Sequence, residues 1–282
     1  MKRFLPLVVV FLLGALLGVG VLAGLRPVPN NDQIRAIAET VVAENPAPVV
    51  VPPPALDADQ ILALVEDHLV KTPSILARMT SALQSAAEQE KANKTKATIA
   101  EMRDAIFASP NHAVIGNTDG DITLVELFDY NCGYCRQALP DLVALLEEDT
   151  GIKLILKEFP ILSQGSMDAA RVAVQVAANP EVDYWAFYQR LYSTRGQIDR
   201  AAALNAAASL GLDPAALQAG MNSDVVATEL KANYAIAEKL GITGTPTFIL
   251  GDSVIAGAVG VDALRAAIKN MRACGAITCE TD

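Results

Sequence analysis

The sequence predicts an α/β fold: a strand, helix, strand unit and a later hairpin share one sheet, a helical subdomain is inserted between them, and an N-terminal membrane or signal helix and a helical stalk come first. Three observations carry that prediction. Short apolar runs at 122–128 and 152–157 flank a stretch with helical periodicity. A long, mostly helical pattern then separates the second run from a hairpin-like pair of apolar runs at 247–256. Ahead of these lie an uncharged segment and a region rich in Ala, Gln, Glu and Lys.

At the N-terminus, Met1-Lys2-Arg3 is positive and residues 4–25 run 22 positions without a charge. At about 1.5 Å per residue this segment spans roughly 33 Å, enough for a bilayer core and longer than an ordinary signal-peptide apolar stretch. That favours an uncleaved anchor. Val21-Leu22-Ala23 also offers a cleavage site, so a removed signal peptide stays open. Either way Lys2 and Arg3 stay inside and Arg26 onward is exported. The expected location is the bacterial periplasm, soluble after cleavage or anchored by residues 4–25.

Asn31-Asp-Gln-Ile and Ala58-Asp-Gln-Ile open two similar segments at a shift of 27 residues, each a short amphipathic helix ending at a proline, Pro46 or Pro73. The proline-rich stretch 46–54 between them predicts an extended linker. From 57 to 107 the chain reads as a helical stalk, with Ile61, Leu64, Val65 and Leu69 on one face. Such a stripe either packs on the main domain or self-associates, and a homo-oligomer held by the stalk is the expectation.

The run 122–128 reads as a buried strand, 135–148 as a helix and 152–157 as a second strand, together a right-handed parallel unit. Residues 166–240 are helical, punctuated by Asn179-Pro180, Gly196, Gly211 and Gly241. A hairpin at 247–256 and a closing helix at 261–272 follow. The expected organisation is 1–25 signal or anchor, 26–56 short helix and linker, 57–107 stalk, 108–272 main domain with its helical insertion at about 163–240, and a cysteine-containing tail at 273–282.

A chain of 282 residues with 52% hydrophobic content is not mainly disordered. Its 32 acidic against 22 basic residues, net −10, repel phosphate backbones, so nucleic acid is not an expected partner. The four cysteines form two close pairs, Cys132 with Cys135 and Cys274 with Cys279, in a compartment where disulfides persist.

Cys132-Gly133-Tyr134-Cys135 sits where the first strand runs into a helix. Unpaired N–H groups and the helix dipole at such a junction favour a thiolate, so Cys132 is expected to be the exposed attacking sulfur, with Cys135 behind it to resolve a mixed disulfide. Gly133 allows close approach of a substrate and Tyr134 offers an aromatic face. The rivals are a static disulfide and half of a zinc site. Zinc needs a second pair of ligands, the only histidines are His68 and His112, and Cys274 and Cys279 lie far along the chain, so neither metal nor other cofactor is expected. Cys274 and Cys279, with Gly275 between them, read as a structural disulfide, a second redox centre being the alternative.

Gly244-Thr245-Pro246-Thr247-Phe248 places a proline immediately before a buried strand. With Phe128-Asp-Tyr-Asn-Cys-Gly-Tyr-Cys135, Lys157-Glu-Phe-Pro-Ile161, Ser166-Met-Asp-Ala-Ala-Arg171 and Gly257-Ala-Val-Gly260, the chain resembles the DsbA-like thioredoxin family, most closely the ScsC and Com1 type of exported protein with an N-terminal helical extension. The resemblance implies a thioredoxin-like fold in which Thr245 and a cis Pro246 face the cysteine pair, and in which the Thr245 backbone pairs with a bound peptide. It also implies that Glu126 and Lys157 are a buried acid and lysine relaying protons near Cys135, although alternation around Glu126 leaves its face unset. The implied activity is thiol-disulfide exchange on exported protein thiols and disulfides, with a membrane redox partner protein. Gly133-Tyr134 stands where the strongest oxidants of the family carry Pro-His, which predicts a less acidic Cys132 and leans toward disulfide isomerase. A monomeric dithiol oxidase and a thiol carrier for copper resistance or cytochrome maturation are the alternatives.

Overall fold

The computed structural model describes residues 30–44 and 57–279. The expected anchor or signal segment and the proline-rich linker lie outside the described residues. Among those described, no helix is long and apolar enough to cross a membrane. The chain divides into two units, 1–72 and 73–282.

The first unit contains α1 (Asn31–Glu44) and α2 (Ala58–Lys71), whose ends stand 27 positions apart, as the repeat predicts. Their N-termini are built alike. The Asn30 side chain accepts from the Gln33 amide at 2.9 Å while Gln33 answers the Asn30 amide at 3.0 Å, and Asp57 with Gln60 makes the same reciprocal pair at 2.8 and 3.2 Å. Each pair satisfies two N–H groups that the helix start leaves unbonded. Ile34, Ile37 and Val41 on α1, and Ile61, Leu64 and Val65 on α2, are exposed.

The second unit begins with α3 (Pro73–Glu101), Pro73 supplying a first-turn residue that needs no N–H partner. The stalk region is interrupted at Thr72, where the residue before Pro73 leaves the helical region as the repeat predicts, and again at Met102, where α4 (Arg103–Phe107) starts. Most of α3 is exposed, but Ile99 near its end is buried, so this part of the stalk packs on its own domain.

Among the described residues, five strands follow the order β1-β3-β2-β4-β5. β2 (Ile122–Phe128) and β3 (Ile152–Glu158) pair in parallel around α5 (Gly133–Glu148), and β4 (Thr247–Leu250) and β5 (Ser253–Ala256) form the hairpin, β4 antiparallel to β2. β1 (Ala113–Gly116), antiparallel to β3, is a strand that the sequence reading passed over. Four residues are too few to show a period. Gly116 closes it at φ 78°, where a Cβ would meet the Ile152 carbonyl oxygen at 2.7 Å.

Between β3 and β4 the inserted helices are α6 (Gln164–Ala177), α7 (Tyr184–Ser193), α8 (Arg200–Ala208), α9 (Pro214–Gly220) and α10 (Asp224–Leu240), and α11 (Val261–Cys274) closes the fold. Side chains alternate across the sheet. One face carries Leu124, Phe128, Leu154 and Leu156 into a core shared with Leu142, Val172, Phe187, Tyr188 and Leu264. The other carries Val125, Leu127, Ile155 and Ile249 against Ile99, Ile106 and Ile236. The central strands thus bury apolar residues on both sides, which explains why β2 and β3 read as mostly apolar runs without a clean alternation.

Candidate active site

The turn between β2 and α5 is set by two polar side chains whose part the sequence reading did not assign. The Asp129 carboxylate accepts from the backbone N–H of Asn131 at 2.8 Å, Ile161 at 2.8 Å and Leu162 at 2.9 Å. Asn131 gives its amide N–H to the Ser166 hydroxyl at 3.0 Å and the Ile198 carbonyl at 2.7 Å, and accepts from the Ile198 N–H at 2.7 Å. These bonds tie the turn to the inserted helices. Asp and Asn at a strand-to-helix turn are the residue types that bond backbone groups nearby, which was the available signal.

Cys132 is the residue flanking the start of α5, at φ −78° and ψ 119°, with Cys135 one turn inside the helix. Both are free thiols. Cys132 is 8% exposed and Cys135 fully buried. The expected exposed sulfur is therefore recessed, because the Thr245 carbonyl oxygen stands 3.2 Å from the Cys132 Sγ. Cys132 nonetheless remains the more reachable of the two. A hydrogen bond from Cys135, helped by the Thr245 side chain and the α5 N–H groups, outweighs burial and pulls the Cys132 thiol down to about 5. Burial, then the bond to Cys132 and the charge of Glu126, pushes Cys135 far up. The arrangement holds one sulfur as a nucleophile and its neighbour as a thiol.

The Thr245–Pro246 peptide bond is cis. Gly257 N–H donates to the Pro246 carbonyl at 2.9 Å, fastening this loop to the end of β5. A Cβ on Gly133 would meet no atom within 4 Å, and Tyr134 is 67% exposed, so both face open space beside Cys132.

Glu126 lies on the same face of the sheet as the cysteines, fully buried, with its Oε2 accepting from the Tyr188 hydroxyl at 2.8 Å. Burial raises it to about 8, and the charge of Cys132 adds to that rise. Lys157 does not join it. Its register partner is Leu127, and its side chain points to the opposite face, where its Nζ meets Glu229 at 3.2 Å and Asn233 at 3.3 Å on α10. The acid that shares the face of Glu126 is Glu158, one residue further, which accepts from the hydroxyls of Tyr184 at 2.6 Å and Tyr130 at 3.2 Å and is pushed well up by burial.

Cys274 and Cys279 are joined in a disulfide with Cα atoms 6.0 Å apart. Ile277 inside this small loop packs against the main core, and its carbonyl accepts from the Asn270 side chain at 3.0 Å. Among the described residues no cluster of three or more His, Cys, Asp or Glu is arranged to hold a metal ion.

The chain is similar to several known proteins. Residues 123–269 match the DSBA-like thioredoxin domain family. A thioredoxin-like oxidoreductase from Silicibacter pomeroyi DSS-3 is 37% identical, with a TM-score of 0.58, over 61% of this chain and 98% of that one. ScsC from Proteus mirabilis, in a transitional conformation, is 31% identical, with a TM-score of 0.57, over 78% of this chain and 98% of that one. A protein named Na(+)/H(+) antiporter NhaA 1 from Salinispora arenicola (strain CNS-205) is 26% identical over 157 residues, 56% of this chain and 24% of that protein. The chain thus spans about a quarter of that relative's length. Matched over more than half of its residues, the chain belongs to the DSBA-like thioredoxin domain family.

Proposed function

We propose that this protein is a thiol-disulfide oxidoreductase acting on exported proteins through Cys132 and Cys135. The observation that carries the reading is the asymmetry of the pair: free Cys132 flanks the start of α5 beside the cis Thr245–Pro246 loop, while free Cys135 lies fully buried one turn behind it, and the two thiols are shifted in opposite directions. The Cys132 thiolate attacks one sulfur of a substrate disulfide, and the other sulfur leaves as a thiolate. Cys135 then loses its proton and attacks the Cys132 sulfur, releasing the substrate as a dithiol and leaving the pair as a disulfide, two electrons having passed to the substrate. Run backward, the same steps oxidise a substrate dithiol. A free substrate thiol that attacks the mixed disulfide instead completes an isomerisation with no net electron transfer. In this reading Glu126 takes and returns the Cys135 proton, supported by its burial on the face of the cysteines and its electrostatic influence on Cys135. Thr245 and Pro246 position the substrate backbone, and Gly133 and Tyr134 its side chains.

Isomerase action is the favoured direction. It is supported by Gly133-Tyr134 in place of a cationic dipeptide and by the exposed apolar residues of α1 and α2, which suit self-association of several copies around a shared substrate. A dithiol oxidase recharged by a membrane redox protein is the second reading, favoured by the low pKa of Cys132, which stabilises the reduced form. The periplasm is the proposed compartment. Refolding of scrambled ribonuclease, measured beside the reduction potential of the full chain, tests the choice. Isomerase activity with a couple at about −150 to −200 mV is expected, and a potential near about −270 mV without isomerase activity would make it a reductant.

A further inference from the structure

The family match ends at 123 and 269, yet two pieces of chain outside it, α3 and the loop closed by Cys274–Cys279, meet beside the Thr245–Pro246 loop. Together with β5 they enclose a cleft of about 900 Å³. β5 is one of the two edge strands of the sheet. In its two-residue hairpin with β4, Leu250 faces Ser253 as the first hydrogen-bonded pair, so bonded and non-bonded pairs alternate from there. Val254 and Ala256 fall in the non-bonded pairs, and their N–H and C=O groups point away from β4. None of the described residues bonds to them. Both residues line the cleft, and Ile255 between them does not. The Lys96–Asp252 ion pair, 2.8 Å, ties α3 to the hairpin turn at one end, and Gly257 on Pro246 ties β5 to the loop over Cys132 at the other.

We propose that this cleft is a strand-addition site, in which the substrate polypeptide on one side of its reacting cysteine runs from Thr245 down the β5 edge, walled by α3 and the disulfide-closed loop. Two pairs of backbone groups at strand spacing are met in register by another extended backbone. The walls carry both signs of charge, Glu88 and Asp252 with Lys91 and Lys96, so backbone geometry selects the occupant and net charge does not. That describes an unfolded or locally extended segment of varied sequence. The inference rests on the oxidoreductase reading and adds the part of the substrate it grips.

The test compares exchange rates of the full chain with mixed disulfides of two synthetic peptides, a cysteinyl tripeptide and one of about twelve residues, long enough at roughly 3.3 Å per residue to follow β5. The longer peptide is expected to react about tenfold faster, the gain of one to two net backbone hydrogen bonds. Val254→Pro removes one outward N–H at an edge position that tolerates proline, and Ala92→Trp fills the cleft from α3. Each should bring the ratio of long to short close to one, and the second keeps the test valid should the first disturb folding. A ratio near one in the unaltered protein, or a tenfold ratio that survives both substitutions, overturns the inference and leaves the oxidoreductase reading standing. A change of oligomeric state in Val254→Pro with the ratio intact overturns it in favour of a second copy at this edge. Failure of the unaltered protein to exchange with either peptide overturns both.

Discussion

The Thr245 carbonyl oxygen and the Cys132 Sγ meet at 3.2 Å although 113 positions of chain separate them. The contact joins the loop before β4 to the start of α5, so the groups that set the reactivity of the thiol come from two ends of the domain. Beside that contact, the hydrogen bond from Cys135, then those of the Thr245 side chain and the α5 N–H groups, bring the Cys132 thiol down to about 5. Absorbance of the thiolate near 240 nm should therefore titrate with a midpoint near pH 5. An unfolded thiol titrates near about 8.5, so between these values the unfolded state binds more protons than the native dithiol. Stability of the dithiol form should accordingly rise with pH across that window and be lost as pH falls through 5, whereas the disulfide form lacks this slope. Melting both forms from pH 4 to pH 8 checks the sign, and a midpoint above about 8 would contradict the geometry.

Cys135 should behave as the buried partner. With Cys132 replaced by serine, alkylation of Cys135 by iodoacetamide at pH 7 is expected to be on the order of 100-fold slower than that of Cys132 in the converse variant. Cys135→Ser should instead accumulate a mixed disulfide with substrate, visible on a non-reducing gel. Equal alkylation rates would mean that the two sulfurs are not distinguished.

The cysteines, the proline before β4 and the strands β2 and β3 were legible in the sequence because each rests on a local pattern: a four-residue motif, a breaker beside an apolar run, a mostly apolar run buried on both faces. Facing was not. Lys157 and Glu126 both sit in apolar runs whose neighbours are buried whichever way they turn, so alternation carries no contrast there. Only the pairing of Leu127 with Lys157 shows that the lysine leaves the face of the cysteines. Glu158 was hidden for the same reason, one residue beyond the expected end of β3. The bonds of Asn131 to Ser166 and Ile198 span 35 and 67 positions, distances over which a single sequence shows no pairing.

Glu126→Gln separates proton transfer from structure. A buried carboxyl raised from 4.5 to about 8 keeps its proton in the native state while the unfolded chain has lost it, so native stability falls as pH rises between those values. The amide removes that slope. The variant is expected to be more stable at pH 7 by on the order of 3 kcal/mol, and no different near pH 4. If Glu126 takes the Cys135 proton, resolution of the mixed disulfide should slow by on the order of 100-fold and lose its inflection near pH 8. A faster-melting variant with unaltered resolution would leave the carboxyl a packing residue.

Lys157 tests whether charge on the far face of the sheet reaches the redox centre. Its Nζ bonds Glu229 and Asn233, and Glu229 also accepts from Ser109, so the lysine completes a closed polar cluster among α10, β3 and the segment before β1. Burial lowers the lysine, and the Glu229 carboxylate opposes that fall. Lys157→Met should strand a buried carboxylate and cost about 3–5 kcal/mol, measured by urea denaturation. Lys157→Met with Glu229→Gln should recover much of that loss, because no unpaired charge remains. In either protein the thiolate midpoint is expected to stay near pH 5, since the causes that set it, the Cys135 thiol, Thr245 and the α5 amides, all lie across the sheet. A midpoint displaced by more than about one unit in the folded double variant would show that the cation acts on Cys132 through β2 and β3, and would return Lys157 to the redox machinery.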